Sequence, residues 1–247
     1  MKAGLEQACA PPLTLPVMEA HALWAATYDD GSNPLLTLEE RVMEPLLPDL
    51  KDTCVLDVAC GTGRWLRRLR ACRVAQVFGV DLSQEMLRVG SVKPAIAGTL
   101  VRADCFALPL RNFSSHLIIC SFAVSYLADL PALAREFARV SRPFARVLIS
   151  DFHPDGYRRG WKRSFHFGGR AIEIASFNYS IGTVCEAFEN AGFVLLRKVE
   201  SHFDEPERGI FVRAGKRSIF ESIRKFPALF ILEFQLSRGN GMGTELR

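Results

Sequence analysis

The chain has 247 residues, 49% hydrophobic and 23% charged, with 18 Phe, which is apolar material enough for a core and excludes a disordered or low-complexity chain. Thirty-one Lys and Arg against 27 Asp and Glu leave +4, too even a balance to mark a nucleic-acid or membrane-surface binder by charge alone. The 7 Cys are odd in number and form no C-x-x-C pair, so neither a disulfide framework nor a zinc site is expected, and the setting is read as reducing and cytoplasmic.

Residues 1–16, with Pro11, Pro12 and Pro16, read as a loose arm that lacks the apolar core of a signal peptide. Met18 to Tyr28 is expected to be a helix closed by the turn-like residues 29–34. Thr37 is read as the cap of a second helix carrying Leu38, Val42, Met43, Leu46 and Leu47 at helical spacing. Thr53 to Ala59 is a near-continuous apolar run, the mark of a strand covered on both faces. Gly61-Thr62-Gly63 follows, then a helix whose Arg row (64, 67, 68, 70 and 73) reads as a solvated face. Gln76 to Val80, Leu100 to Ala103, His116 to Cys120 and Arg146 to Ser150 are further short strands, with a helix opening at Leu82-Ser83 and another over Leu133 to Val140. Strands alternating with helices predict βαβ units and a parallel sheet. After Ser150 the order breaks. Trp161 to Phe167 and Arg170 to Ser176 flank Gly168-Gly169, a hairpin signal. Ser180 to Ala191 reads as helix ending at Gly192, Phe193 to Val199 and Pro227 to Leu236 as strands, with a short amphipathic helix around Ile219 to Phe226 between them.

The chemistry is concentrated at 55–63, V-L-D-V-A-C-G-T-G. A strand entering a Gly-x-Gly turn and then a helix brings backbone close to a ligand, and the free N–H groups of the helix start favour an anionic group. A dinucleotide fingerprint would need a third Gly at 66, where Leu66 stands, and no phosphate-loop Lys follows. Asp81 closes the second strand, where two oxygens can accept from both hydroxyls of a ribose, and Asp104 follows the third. With Asp57 they form a rim of acids facing one crevice, where open α/β sheets bind ligands.

These residues, with V-F-G-V-D-L-S-Q-E-M-L (77–87), R-A-D-C-F-A-L-P-L (102–110), L-I-I-C (117–120) and F-A-R-V-S-R-P-F-A-R-V-L-I-S (137–150), resemble the class I S-adenosylmethionine-dependent methyltransferases, in particular the type 11 small-molecule group. The resemblance implies a Rossmann-like, doubly wound, seven-stranded and mainly parallel sheet forming one domain. Its parts would be an arm and helical lid (1–34), a cofactor-binding core (35–151), a hairpin cap (152–180) and the rest of the sheet (181–247). By the same resemblance Asp57, Ala59, Cys60, Gly61 and Gly63 surround the methionine part, Asp81 holds the ribose, and Leu82 and Met86 flank the adenine. Asp104 and the Cys105 N–H bind its edge, the Cys120 carbonyl faces the methionine amino group, and Tyr28 is a lid tyrosine near the sulfonium. The family's Pro-Gly-Gly before the fifth strand is Pro143-Phe144-Ala145 here, so that turn is expected to differ.

Substrate is expected to enter over strands four and five. His153 is the first choice of general base because its ordinary pKa lies near neutrality, with Tyr126 as an orienting partner and Phe122, Trp161 and Phe165 lining the pocket. The bases and aromatics of 157–170 suit a cap over an acidic or aromatic small molecule, and equally a grip on nucleic acid. The expected activity is methylation of a small metabolite at O, N or C, releasing S-adenosylhomocysteine, without a metal, by a monomer or homodimer. An RNA, DNA or protein methyltransferase and a non-catalytic cofactor-binding module remain the alternatives.

Overall fold

The computed structural model describes residues 11–237; the first ten residues of the expected arm, Cys9 among them, lie outside it. In chain order the elements are β1 (Leu13–Leu15), α1 (Val17–Trp24), α2 (Pro34–Met43), β2 (Cys54–Val58), α3 (Arg64–Arg70), β3 (Gln76–Asp81), α4 (Gln84–Ser91), β4 (Leu100–Arg102), β5 (Ser115–Ser121) and α5 (Leu130–Val140). There follow β6 (Ser141–Phe152), α6 (Pro154–Arg158), β7 (Ser164–Phe167), β8 (Arg170–Ile174), α7 (Ile181–Asn190), β9 (Phe193–Ser201), α8 (Glu205–Arg213), α9 (Arg217–Ile223) and β10 (Leu229–Leu236). Seven strands form one sheet in the order β4-β3-β2-β5-β6-β10-β9. All neighbours are parallel except β10, which runs antiparallel to both β6 and β9.

Burial on both faces explains why the central strands read as unbroken apolar runs. Alternate residues supply two separate cores. Leu56, Val58, Ile118, Val147, Ile149, Leu232 and Phe234 meet Leu133 and Phe137 of α5 and Val184 and Phe188 of α7. Val55, Leu117, Ile119, Leu148 and Ile231 meet Leu38 and Met43 of α2, Trp65, Leu66 and Leu69 of α3, and Phe211 and Phe220 of α8 and α9. Trp65, Phe137, Phe188 and Phe220 are fully buried, and side chains of this size contribute roughly 1.5–3 kcal/mol each on burial. The parallel arrangement leaves the carboxyl ends of β2, β3, β4 and β5 at one rim.

Over that rim lies a second sheet, in the order β1-β8-β7. The hairpin β7–β8 turns at Gly168-Gly169 as its composition predicts, with Phe165 opposite Ile172. Leu13–Leu15 pairs parallel to Ile172–Ile174, so this part of the arm is ordered sheet and not loose chain. With α1 the small sheet buries Ala20, Phe165, Ile172 and Ile174 in a core of its own, against which Leu23, Trp24 and Tyr126 pack.

One further expectation needs correction. The cap of α2 is Asn33, whose side chain accepts the Leu35 N–H at 2.9 Å with Pro34 at the first helical position. Thr37 lies within that helix. The helix Glu205–Arg213 was not foreseen; it is started by a capping box in which Asp204 and Glu207 satisfy each other's backbone N–H. The Pro143-Phe144-Ala145 segment does not end the strand but bends it: Phe144 takes a φ of 64° and the β5–β6 register shifts between Ser115 and Leu117.

Candidate active site

A cavity of about 850 Å³ runs along the carboxyl ends of β2 to β5 and under the small sheet. At one end the expected acids converge: Asp57 from β2, Asp81 from β3 and Asp104 after β4 all line it, with Leu82, Met86 and Cys105. The turn after β2 makes this approach possible. Ala59 and Gly61 both take left-handed conformations, at φ 56° and 55°, and a Cβ placed on Gly61 would meet only open space. That open ground beside the strand end is where a ligand can lie against backbone. Gly63 serves differently: it does not line the cavity, and a Cβ there would run into Ile96 Cδ1. Its glycine is required by packing at the start of α3, not by ligand contact.

Asp81 is set by its neighbours. Oδ2 accepts the Gly61 N–H at 2.7 Å and Oδ1 the Ser83 N–H at 2.8 Å. A carboxylate has about four acceptor positions, so one remains on each oxygen for a bound diol. Burial raises its pKa, opposed by the Ser83, Gly61 and Leu82 N–H groups. Asp104 closes a short turn by accepting the Phe106 N–H at 2.9 Å. Asp57 is different again. It is 2% exposed and has no hydrogen-bond partner among the described side chains. Burial holds its pKa well above the usual carboxylate value; Arg64 counteracts this, while Glu39 and Asp81 add to it. Buried acids with raised pKa values are sites where an incoming cation is strongly favoured.

Arg64 and Glu39 were missed by sequence reasoning. Arg64 is not on a solvated face: it lines the cavity, pairs with Glu39 and Glu40, and donates to Ser121 Oγ at 3.0 Å. Glu39 is fully buried and also receives Trp65 Nε1 at 3.2 Å, Ser121 Oγ at 2.6 Å and Ser150 Oγ. One signal was present: Glu39 falls between Leu38 and Met43 on the apolar side of α2, where an acid demands a partner. The network joins α2, α3, β5 and β6 and fixes the Arg64 guanidinium at the cavity wall.

The other end of the cavity is aromatic. Tyr28 sits edge-on to Trp24, with ring centroids 4.7 Å apart, and Trp24 stacks on Phe165 at 4.8 Å with the planes 1° apart. His21 meets Tyr126 edge-on at 5.6 Å. Phe122, Tyr126, Phe165 and Tyr28 all line this end. Burial pushes the Tyr28 phenol up to about 12. The lid is tied to the glycine turn through Asp29, which accepts Thr62 Oγ1 at 2.9 Å and Lys93 Nζ at 2.6 Å.

Besides Gly63, three expected residues lie elsewhere. His153 is not in the cavity; it is 4% exposed, its Nδ1 accepts the Asp155 N–H at the start of α6, and Nε2 meets Glu200 at 2.9 Å. A histidine so engaged is a helix cap and cannot reach an acceptor atom. Trp161 packs on Phe152 and Gly156, outside the cavity. Cys120 is wholly buried between neighbouring strands, and the next residue, Ser121, reaches the cavity in its place.

An acidic, glycine-floored end that can take a diol and a cation, continuous with an aromatic end under the small sheet, fits a sulfonium nucleoside beside a second reactant. Residues 55–144 match the family model described as a methyltransferase domain. The ubiquinone/menaquinone biosynthesis C-methyltransferase of Syntrophotalea carbinolica is 32% identical over 161 residues, covering 60% of this chain and 68% of that protein. The malonyl-[acyl-carrier protein] O-methyltransferase of Halorhodospira halophila is 35% identical over 135 residues. This chain spans 46% of that protein, and 35% of a biotin biosynthesis bifunctional protein of Cellvibrio japonicus to which it is 29% identical. In fold it is similar to an S-adenosylmethionine-dependent methyltransferase from Mesorhizobium loti, with a TM-score of 0.65 at 21% identity over 82% of this chain and 100% of that one. Strand order, glycine turn, acidic rim and relatives agree: the chain belongs to the class I S-adenosylmethionine-dependent methyltransferases.

Proposed function

We propose that the protein transfers a methyl group from S-adenosylmethionine to a small-molecule acceptor held under the lid and hairpin, releasing S-adenosylhomocysteine. When bound, the cofactor supplies a methyl group on a good leaving group, so the protein's share is alignment and exclusion of water. In this reading Asp81 takes the two ribose hydroxyls, Asp104 and the Cys105 N–H the adenine edge, and Leu82 and Met86 its faces. Asp57 faces the ammonium group and Arg64 the carboxylate of the methionine part. Tyr28 and Tyr126 stand where the two ends meet and would orient the acceptor. The relatives' names span O- and C-methyl transfer, and both need this same alignment.

The observation that carries the reading is the continuity of the acidic end with a roofed aromatic chamber of small-molecule size. The basic residues of the hairpin do not form a row of unpaired cations, since each has a partner within the protein. Arg158 pairs with Asp155, Lys162 lies 3.8 Å from Glu173, and Arg163 pairs with Asp151. Arg159 stacks on Phe226 at 3.2 Å, and Arg170 donates to the Pro11 carbonyl at 2.8 Å. Incubation with methyl-labelled S-adenosylmethionine and a metabolite extract supplemented with RNA and protein tests the proposal. Label is expected in a low-molecular-weight product. Label confined to RNA or protein, or cofactor binding without any transfer, would overturn it.

A further inference from the structure

We propose that Arg163 sets the specificity of the aromatic chamber, selecting a flat acceptor that carries an anionic oxygen, a carboxylate or a phenolate. The inference rests on the methyl-transfer reading and deepens it. It begins with charge placement. The charged residues lining the cavity fall into two groups: Asp57, Asp81, Asp104 and Arg64 at the nucleoside end, and Lys162 and Arg163 at the other. Among the described residues no carboxylate lines the acceptor end. Lys162 is largely exposed, whereas the Arg163 side chain is only 9% exposed, so Arg163 is the desolvated cation there.

The guanidinium is held rigidly. Nη1 donates to the Phe122 carbonyl at 3.1 Å and Nη2 pairs with Asp151. Asp151 is itself 1% exposed and shared among other donors, accepting the Ser125 N–H at 2.9 Å and the Phe152 N–H at 2.6 Å. Of the five N–H groups of an arginine, two are used by these contacts, and Nε is buried without a partner. Nε is closed off from the cavity, whereas the second N–H of each Nη is not taken up by these contacts and lies in the same fixed plane at the cavity wall. Such a plane suits a carboxylate or phenolate oxygen, and desolvation strengthens the attraction over its value in water.

The walls set the shape. The Tyr126 ring centroid lies 4.8 Å and that of Phe122 5.6 Å from the guanidinium carbon, and the mutually stacked Trp24 and Phe165 rings line the same cavity. His21 does not compete as a second cation: burial, aided by Arg163, lowers its pKa to about 4. An acceptor that fits is planar, slides between rings, and turns an anionic oxygen toward Arg163.

Calorimetric titration of the protein saturated with S-adenosylhomocysteine tests this with benzoate, salicylate and 1-naphthoate, each against its own carboxamide. Each acid is expected to bind at least tenfold more tightly than its amide. In the double variant Asp151→Asn/Arg163→Met, which leaves no buried charge unpaired, that preference is expected to vanish while S-adenosylhomocysteine affinity stays within threefold. Equal binding of acids and amides to the parent protein, or an acid preference that survives in the double variant, overturns the inference; the parent comparison decides alone should the variant not fold. Failure of S-adenosylhomocysteine to bind the parent protein would instead strike the methyl-transfer reading.

Discussion

Replacing Asp81 by alanine separates ligand recognition from stability. Each oxygen of Asp81 already accepts one backbone N–H, from Gly61 and Ser83, which turns the remaining acceptor positions toward the cavity. Two charge-assisted hydrogen bonds to ribose hydroxyls are lost in the variant, each contributing about 1.5–3 kcal/mol. Their sum, about 3–6 kcal/mol, is roughly a hundredfold to ten-thousandfold in dissociation constant. The fold should bear the change. Burial raises the Asp81 pKa, so its ionised form costs stability as pH rises above the ordinary carboxylate range, and removing it takes away that cost as well as two hydrogen bonds. The assay is titration calorimetry with S-adenosylhomocysteine at neutral pH, paired with thermal unfolding of the unliganded protein. The expected outcome is a ligand-induced rise in Tm that collapses while the unliganded Tm moves little. A dissociation constant within fivefold of the parent would refute the reasoning about Asp81.

Three other perturbations address different parts of the argument. Glu39→Leu strands Arg64 without its buried partner and leaves Trp65, Ser121 and Ser150 short of an acceptor, so urea unfolding should show a loss of about 3–5 kcal/mol. His153→Ala removes a helix cap and the contact with Glu200; about 1–2 kcal/mol of stability should go, with methyl transfer retained, whereas a variant that is stable but inactive would restore the catalytic reading. The raised pKa of Asp57 means that the unliganded carboxyl holds a proton at pH values where an ordinary carboxylate has lost it. A cationic ligand reverses that preference, so binding of S-adenosylmethionine just above the ordinary carboxylate range should release protons. Calorimetry in two buffers of different ionisation enthalpy would show it, and Asp57→Asn should reduce the buffer dependence to the share contributed by Asp81, whose pKa burial also raises.

The sheet and the nucleoside end were legible in the residues because their signals are local. A strand covered on both faces announces itself within six residues, and Asp57, Gly61, Asp81 and Asp104 stand at fixed places relative to such strands. What escaped depends on partners distant in the chain. Arg64 looked like one more exposed arginine until Glu39, on another helix, claimed it. Leu13–Leu15 is too short to read as a strand without β8, more than 150 positions later, to pair with. His153 has the residue type of a base, and only the positions of Asp155 and Glu200 reveal it as a cap. In the hairpin, composition gave the mixture of arginines and rings but not which arginine is buried.

The roof of the chamber is assembled from α1 and β1 near one end of the described chain and β7 and β8 from its middle, whereas the floor belongs to the large sheet. The two pieces meet through Arg163, which reaches the Phe122 carbonyl and Asp151, through His21 on Tyr126, and through Asp29 and Lys93 beside the glycine turn. Acceptor preference is therefore written across both pieces: exchanging ceiling residues such as Phe165 leaves the acids of the nucleoside cradle in place, but a transplanted ceiling must bring with it the anchors for Arg163 and Asp29.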